Sequence, residues 1–321
     1  LADLQVNDAT LGGRDARTRF QGAVDRFAVH SKALVEDVPP DPDPLTLAYP
    51  VTALDGQSAL VECVPANDPN GPVEYRFQFR DRARSIRDTG WQESSTVLVG
   101  GLPSGRGAQL AVRARDALGN VTRPLEVRIP RPPKDLPYFE ANDAGEFVIE
   151  AEAFHASTAG QRFDDVWEVV SEPAGLSAEA GVAVANRGRQ IDRDYAPDAS
   201  PRLDYRLRFE RAGTYRLHLR GIGPTPGDNS CHAGLDRQEL ESLNLAANFD
   251  PRVGPHWKRS RTFEVPSPGG HEINLWMRED GTLVDKLVLQ PVGADLNLTP
   301  PEGRLQTARR EGRTSKPLAT P

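Results

Sequence analysis

The chain has 321 residues, with 28 glycines, 28 prolines, 38% hydrophobic residues and a formal net charge of −7 at pH 7. That length suits two or three domains, and the acidic balance argues against a phosphate backbone as partner, since nucleic-acid binders present a basic face. No apolar run reaches the length of a membrane span, helical periodicity is scarce, and short alternating runs punctuated by glycine and proline predict an all-β protein.

Residues 1–36 read as the tail of a larger domain. Phe20, Gly22, Asp25 and Ala33-Leu34 lie in a strand-like stretch that resembles the closing strands of laminin-G-like, concanavalin-type jelly rolls. So short a remnant cannot bury a core alone. Because Leu1 falls inside it, the expectation is a fragment of a longer protein. Residues 37–44 form a Pro/Asp linker, extended and semi-rigid. Between 45 and 130, strand signals fall near 58–64, 73–79, 95–99, 108–115 and 124–129, and Val73, Tyr75, Phe77 and Phe79 alternate toward one core. Gly71-Pro-Val-Glu-Tyr-Arg-Phe77, Gly90-Trp-Gln92 and the run Val112–Thr122 resemble fibronectin type III modules of secreted bacterial polysaccharide enzymes. The resemblance implies a seven-stranded sandwich with spacer duty and Trp91 packed between sheets. Ala108 and Leu110 stand where that family usually has tyrosines, so no tyrosine corner is expected there.

A second linker, 131–146, leads to the largest unit, 147–292. It opens with Phe147-Val-Ile-Glu-Ala-Glu-Ala-Phe154 and carries strands near 203–209, 214–220 and 230–236, with Ala212-Gly213 read as a hairpin turn. Its end, His271–Leu289, alternates on both sides of Asp280-Gly281, which predicts a tight two-residue hairpin. Ile273, Leu275 and Met277 share one face of that first arm, and Asn274, Trp276 and Arg278 the other. Residues 293–321 are polar and Pro-rich and read as a disordered tail. Cys63 and Cys231 lie in apolar runs of different domains, as buried free thiols would.

Three phrases of this unit resemble carbohydrate-binding modules of families 6 and 35: the opening Ile149-Glu-Ala-Glu152, the loop and strand Arg220–Asp236, and the closing Leu275-Trp-Met-Arg-Glu-Asp-Gly281 with Asp285-Lys286. The glycines at 221, 223 and 227 do not make a phosphate loop, since Pro224 and Pro226 interrupt them and no helix follows. The resemblance implies a jelly-roll sandwich that binds polysaccharide and holds a structural Ca²⁺ with Glu150, Glu152 and Asp285. Glu150 and Glu152 would share one strand face, and hard oxygen ligands suit calcium; the plainer alternative is a pair of exposed acids on an edge strand.

A pyranose needs an apolar platform and directed hydrogen bonds at its rim. Trp257 is the candidate platform and Trp167 a second loop aromatic. Asn229 and His232, beside Asp228, would meet hydroxyls. Arg220, with Arg278 and Lys258, would meet acidic groups. Against these stand self-satisfied turns for Asp228 and Asn229, ordinary ion pairs for the cations, and packing for Trp276.

No GxSxG, HExxH or P-loop occurs, and the six histidines make no spaced metal motif. The expectation is therefore tandem β-sandwiches, fibronectin III-like then jelly roll, without catalysis. They would bind polysaccharide for an attached enzyme or a cell surface, as a monomer within a secreted or surface-bound bacterial chain, without nucleic acid or membrane insertion. Two alternatives remain: an adhesive surface protein without sugar binding, and a polysaccharide-active enzyme with an unrecognised site.

Overall fold

The computed structural model describes residues 38–54, 58–69, 71–80, 86–100, 108–129, 136–191, 199–239, 247–293, 307 and 309–310. The laminin-G-like reading of 1–36 lies outside them. The first module contains β1 (Thr52–Ala53), β2 (Ala59–Glu62), β3 (Glu74–Arg80), β4 (Ile86–Gln92), β5 (Thr96–Val99), β6 (Ala108–Arg115) and β7 (Leu125–Ile129). They form two sheets, ordered β1-β2-β5 and β4-β3-β6-β7. Alternation puts Tyr75 and Phe77 of β3, and Leu110, Val112 and Ala114 of β6, into a shared core, with Val73 and Phe79 packed partly against it. Trp91 departs from expectation. Its cross-strand partner is Arg76, which alternates with Tyr75 and Phe77 and so faces away from the core. The Arg115 and Arg76 guanidinium carbons lie 4.6 and 5.8 Å from the Trp91 ring, an outward cation–π stack. The Pro/Asp stretch before the module is docked on it: Asp41 pairs with Asn67, and the Asp43 carboxylate accepts from Arg123 N at 2.6 Å.

The second module begins earlier in the chain than expected. Its strands are β8 (Tyr138–Glu140), β9 (Phe147–Glu150), β10 (Ala156–Thr158), β11 (Trp167–Val170), β12 (Gly181–Val184), β13 (Arg202–Phe209), β14 (Gly213–Ile222), β15 (Ser230–Leu235), β16 (Gln238–Glu239), β17 (Ala247–Asn248), β18 (His256–Val265), β19 (Gly269–Met277), β20 (Leu283–Pro291) and β21 (Arg309–Arg310). One sheet runs β16-β15-β19-β13-β8-β21 and the other β11-β12-β20-β14-β18, with β9 also paired to β20. Leu203, Tyr205 and Leu207 face Leu217, Leu219, Leu287 and Leu289 across one core. Tyr138–Glu140, expected in a linker, is a strand parallel to β13. Residues 293–321, expected to be a disordered tail, contribute β21, antiparallel to β8, and Thr307, whose N–H donates to Val148 O at 2.8 Å.

Both expected hairpins are corrected. β13 and β19 pair with each other in one sheet, while β14 and β20 pair in the other. The turns at Ala212-Gly213 and Asp280-Gly281 therefore carry the chain from sheet to sheet. Either kind of turn sends alternate residues to one core, so the pattern that identified the arms could not distinguish them. Gly281 has φ +80°, a left-handed conformation that favours glycine. The buried Asp280 carboxylate accepts from Arg187 N at 2.6 Å and Arg189 N at 3.0 Å, holding the crossover in place.

The first module covers the outward face of the β13–β19–β15 region. Arg237 donates to Glu62 Oε2 at 3.1 Å, to Glu272 Oε1 at 3.2 Å and to Thr52 Oγ1 at 2.8 Å. Arg202 bonds Asp204 at 2.7 Å, and Asn274 Nδ2 bridges Asp204 and Glu272 at 2.7 and 3.0 Å. Tyr49 sits between the two guanidiniums, 5.0 Å from Arg202 and 5.4 Å from Arg237. Trp276, expected to be packed, is fully buried on this face against Gly234, where an added Cβ would lie 2.4 Å from the indole.

Candidate functional site

A groove open to a ligand lies at one end of the second sandwich, between the loop joining β14 to β15 and the chain entering β18. Pro226, Asn229, Asn248, Phe249, Asp250, Pro251, Arg252 and Lys258 line an open space of about 680 Å³. Its foundation is Phe249, fully buried, with its N–H bonded to Asn229 O at 2.8 Å and its ring edge-on to His256. The Gly221 and Gly223 spacing of the sequence serves this packing. A Cβ at Gly221 would lie 2.2 Å from Leu283 O and 2.6 Å from the Phe249 ring, and one at Gly223 would lie 2.4 Å from Asn229 Cβ. Glu279 Oε2 anchors the opposite wall by accepting from Asn229 N at 2.9 Å and Ser230 Oγ at 2.7 Å. On the rim Arg252 forms a two-point ion pair with Asp250 at 2.9 and 2.8 Å. That guanidinium, with the Arg252 N–H, holds the Asp250 carboxyl well below the usual range.

The sequence candidates are not gathered in one place. Asn229 lines the groove, and Lys258 stands across from it. Trp257 is half-buried and pairs across the strands with Arg220, so the two share the face of β14 and β18 opposite Leu219 and Lys258. Trp167 is 5% exposed, packed in the core with Nε1 donating to Pro201 O at 3.0 Å; it has no free ring face for a sugar. His232 is 1% exposed, its Nε2 3.3 Å from Ile191 O and its cross-strand partner Trp276. It too is withdrawn from solvent, because residues alternating with core Cys231 and Ala233 lie under neighbouring chain. Asp228 is held by Thr225 Oγ1 at 2.6 Å and Asn186 Nδ2 at 2.9 Å.

The three carboxylates expected to hold calcium lie near one another but are directed elsewhere. β9 ends at Glu150, and Glu152 sits in a 3₁₀ turn, Ala151–Ala153, so the two acids do not share a strand face. Lys286 Nζ is 2.7 Å from Glu150 Oε1, and Ser177 Oγ donates to the same oxygen at 3.1 Å. Asp285 accepts from Ser177 N at 2.6 Å and from the Arg220 guanidinium, which also donates to Gly175 O at 3.1 Å. Burial raises the Glu152 carboxyl, assisted by the charges of Glu150 and Asp285, and its Oε2 is buried without a hydrogen-bond partner. Among the described residues no group of three or more His, Cys, Asp or Glu side chains is placed to hold a metal ion. As arranged, the residues do not fit calcium.

Residues 141–302 match the glycosyl hydrolase family 115 C-terminal domain, half of the chain. The chain belongs to that family. An uncharacterized protein, P23, of Formosa agariphila is 27% identical over 125 residues, which covers 33% of this chain and 30% of the relative; the chain thus spans less than a third of that protein. Among solved structures, a family 35 carbohydrate-binding module from Clostridium thermocellum matches 46% of this chain over 100% of its own, at 12% identity and TM-score 0.35. The C-terminal family 6 module of a marine laminarinase from Zobellia galactanivorans matches 45% over 98%, at 18% identity and TM-score 0.29.

In this family 115 C-terminal domain the sequence reading missed Phe249, Asp250 and Arg252. The signal available was slight: Asn248-Phe-Asp-Pro-Arg252 has no alternation, and Asp-Pro marks only a turn.

Proposed function

We propose that this family 115 C-terminal domain binds polysaccharide without catalysis, as part of a larger glycoside hydrolase that works outside the cell. The observation that supports it is the groove's chemistry. Pro226 and Pro251 over Phe249 offer apolar surface, and Asn229, Asn248, Asp250, Arg252 and Lys258 supply donors and acceptors around it, the combination a sugar ring and its hydroxyls require. Hydrolysis would need two carboxyl groups facing one another. The groove's described lining has one, Asp250, and that one is paired with Arg252. The strand order of the first module supports a fibronectin III-like companion, joined to this sandwich through the buried contact with Arg237.

The test is retention of the whole chain on immobilised plant and algal polysaccharides, comparing wild type with Asn229→Ala/Lys258→Ala and with Trp257→Ala. Affinity in the micromolar to millimolar range, about −8 to −4 kcal/mol, is expected of one such groove. Loss of retention by tenfold or more in the double variant, with Trp257→Ala unaffected, supports the groove. Loss in Trp257→Ala alone moves the site to the β14–β18 face. Absence of retention on every glycan overturns the reading in favour of adhesion.

A further inference from the structure

The disagreement over calcium has a positive content. Lys286 on β20 lies directly across from Glu150 on β9 and, on its other side, from Arg220 on β14. Between Arg220 and Gly221 the register of β14 against β20 shifts, leaving Asp285 as the extra residue of a bulge, a device that re-aims a side chain. The Asp285 carboxylate is thereby turned to Arg220, and both its oxygens have donors: Ser177 N on one, Arg220 on the other. Ser177 Oγ joins the two halves, accepting from Lys286 Nζ at 2.9 Å and donating to Glu150 at 3.1 Å. Two cations and one loop serine thus stand among the three carboxylates that the resemblance to families 6 and 35 assigns to a metal.

A calcium ion at this place would have to displace both. The Lys286 side chain is 7% exposed, so the ammonium would be left buried without its counter-ion, a strongly unfavourable arrangement. The Ser177 N–H would lose its acceptor as well. Glu152 Oε2, buried without a hydrogen-bond partner, offers only a single ligand atom, whereas calcium takes six to eight.

We propose that Arg220 and Lys286 supply from within the chain the positive charge that the resemblance to families 6 and 35 assigns to calcium, so that this sandwich folds and keeps its groove without a divalent ion. The network does two jobs at once: it neutralises the carboxylates and, through Gly175 and Ser177, fastens the loop before β12 to the β20–β14 pair. Removing Lys286 would hand Glu150 back as a ligand and turn the internal arrangement toward a metal site.

Thermal melting and calorimetric titration decide it, on the whole chain stripped with EDTA and then returned to millimolar CaCl₂. Wild type is expected to melt at the same temperature in both and to show no calcium-binding heat. An EDTA-induced fall of more than about 3 °C, roughly what the loss of one kcal/mol produces in a domain of this size, overturns the proposal, as does one-to-one micromolar calcium binding. Lys286→Met is expected to melt lower than wild type and to regain part of the loss in CaCl₂. A folded Lys286→Met that ignores calcium overturns the exchange of cation for metal. Should that variant fail to fold, the wild-type measurements still decide. The inference is independent of the glycan reading, because melting is read without any polysaccharide present.

Discussion

Arg237→Met weighs the contact between the two modules. The Arg237 side chain is 4% exposed and its partners Glu62 and Glu272 are 8% and 1% exposed, so solvent cannot replace the lost bonds. Methionine keeps most of the apolar stem and removes the charge. Breaking a buried ion pair by deleting one partner costs about 3–5 kcal/mol, and two carboxylates are stranded here. Proton uptake sets the pH dependence. Burial first, then the charge of Asp204, pushes the Glu272 carboxyl up to about 7 from an ordinary 4.5, while Arg237 and Arg202 pull it down. Between those values the folded chain binds more protons than the unfolded one. This group's contribution is therefore complete below about 4.5 and is lost as pH rises through 7. Without Arg237 the carboxyl rises further and stays neutral at pH 6, but must ionise or hold its proton at a cost at pH 8. The deficit of Arg237→Met is therefore expected near 3 kcal/mol or more at pH 8 and smaller at pH 6. Urea unfolding followed by tryptophan fluorescence measures both. A deficit below about 1 kcal/mol at pH 8, or one that does not change with pH, refutes the reasoning.

Gly221→Ala is expected to cost at least about 1–3 kcal/mol by overpacking, since its Cβ meets Leu283 O and the Phe249 ring. Polysaccharide retention should fall with it, whereas Gly254→Ala, whose Cβ would meet nothing within 4 Å, should melt as wild type does. His218 is fully buried, and burial first, then the guanidinium of Arg216, lowers its pKa to about 4 from 6.5. In that window the unfolded chain binds the extra proton, so this contribution is complete above 6.5 and is lost as pH falls toward 4. Chemical denaturation at pH 4.5 and 7 should show a smaller acid loss in His218→Gln than in wild type. Equal losses would remove His218 from the account.

Strand positions were legible wherever one face meets a core. Ile273, Leu275 and Met277 alternate in the sequence and lie together in the core. Pairing was not legible, because β19 and β20 show the same inside-outside rhythm whether they turn back on each other or cross to opposite sheets. Burial of the opposite face was hidden too. Arg202, Asp204, Glu272 and Asn274 alternate with core residues, the positions that ordinarily meet solvent, but a second module lies over them, and their charges are balanced across that contact. The shared strand face expected of Glu150 and Glu152 was wrong on local geometry: a two-residue strand period was extended through Glu152, which lies in a 3₁₀ turn, and the bulge at Asp285 has no signature in composition. Burial of both cysteine thiols, by contrast, followed directly from their apolar surroundings, and both are free. The groove was legible only in part: Asn229 and Lys258 were candidates, but the stretch Asn248–Arg252 between them has no alternation, and a buried phenylalanine brings it against Asn229.

The strand Arg309–Arg310 pairs with Tyr138–Glu140, and Thr307 is bonded to Val148. The outer edge of β8 is therefore uncovered until a much later stretch of the chain folds back onto it. An uncovered strand edge is a template for pairing with another copy, and non-local closure is slow. Association between copies is thus a risk for as long as β8 lacks this partner, and the return of Arg309–Arg310 ends it.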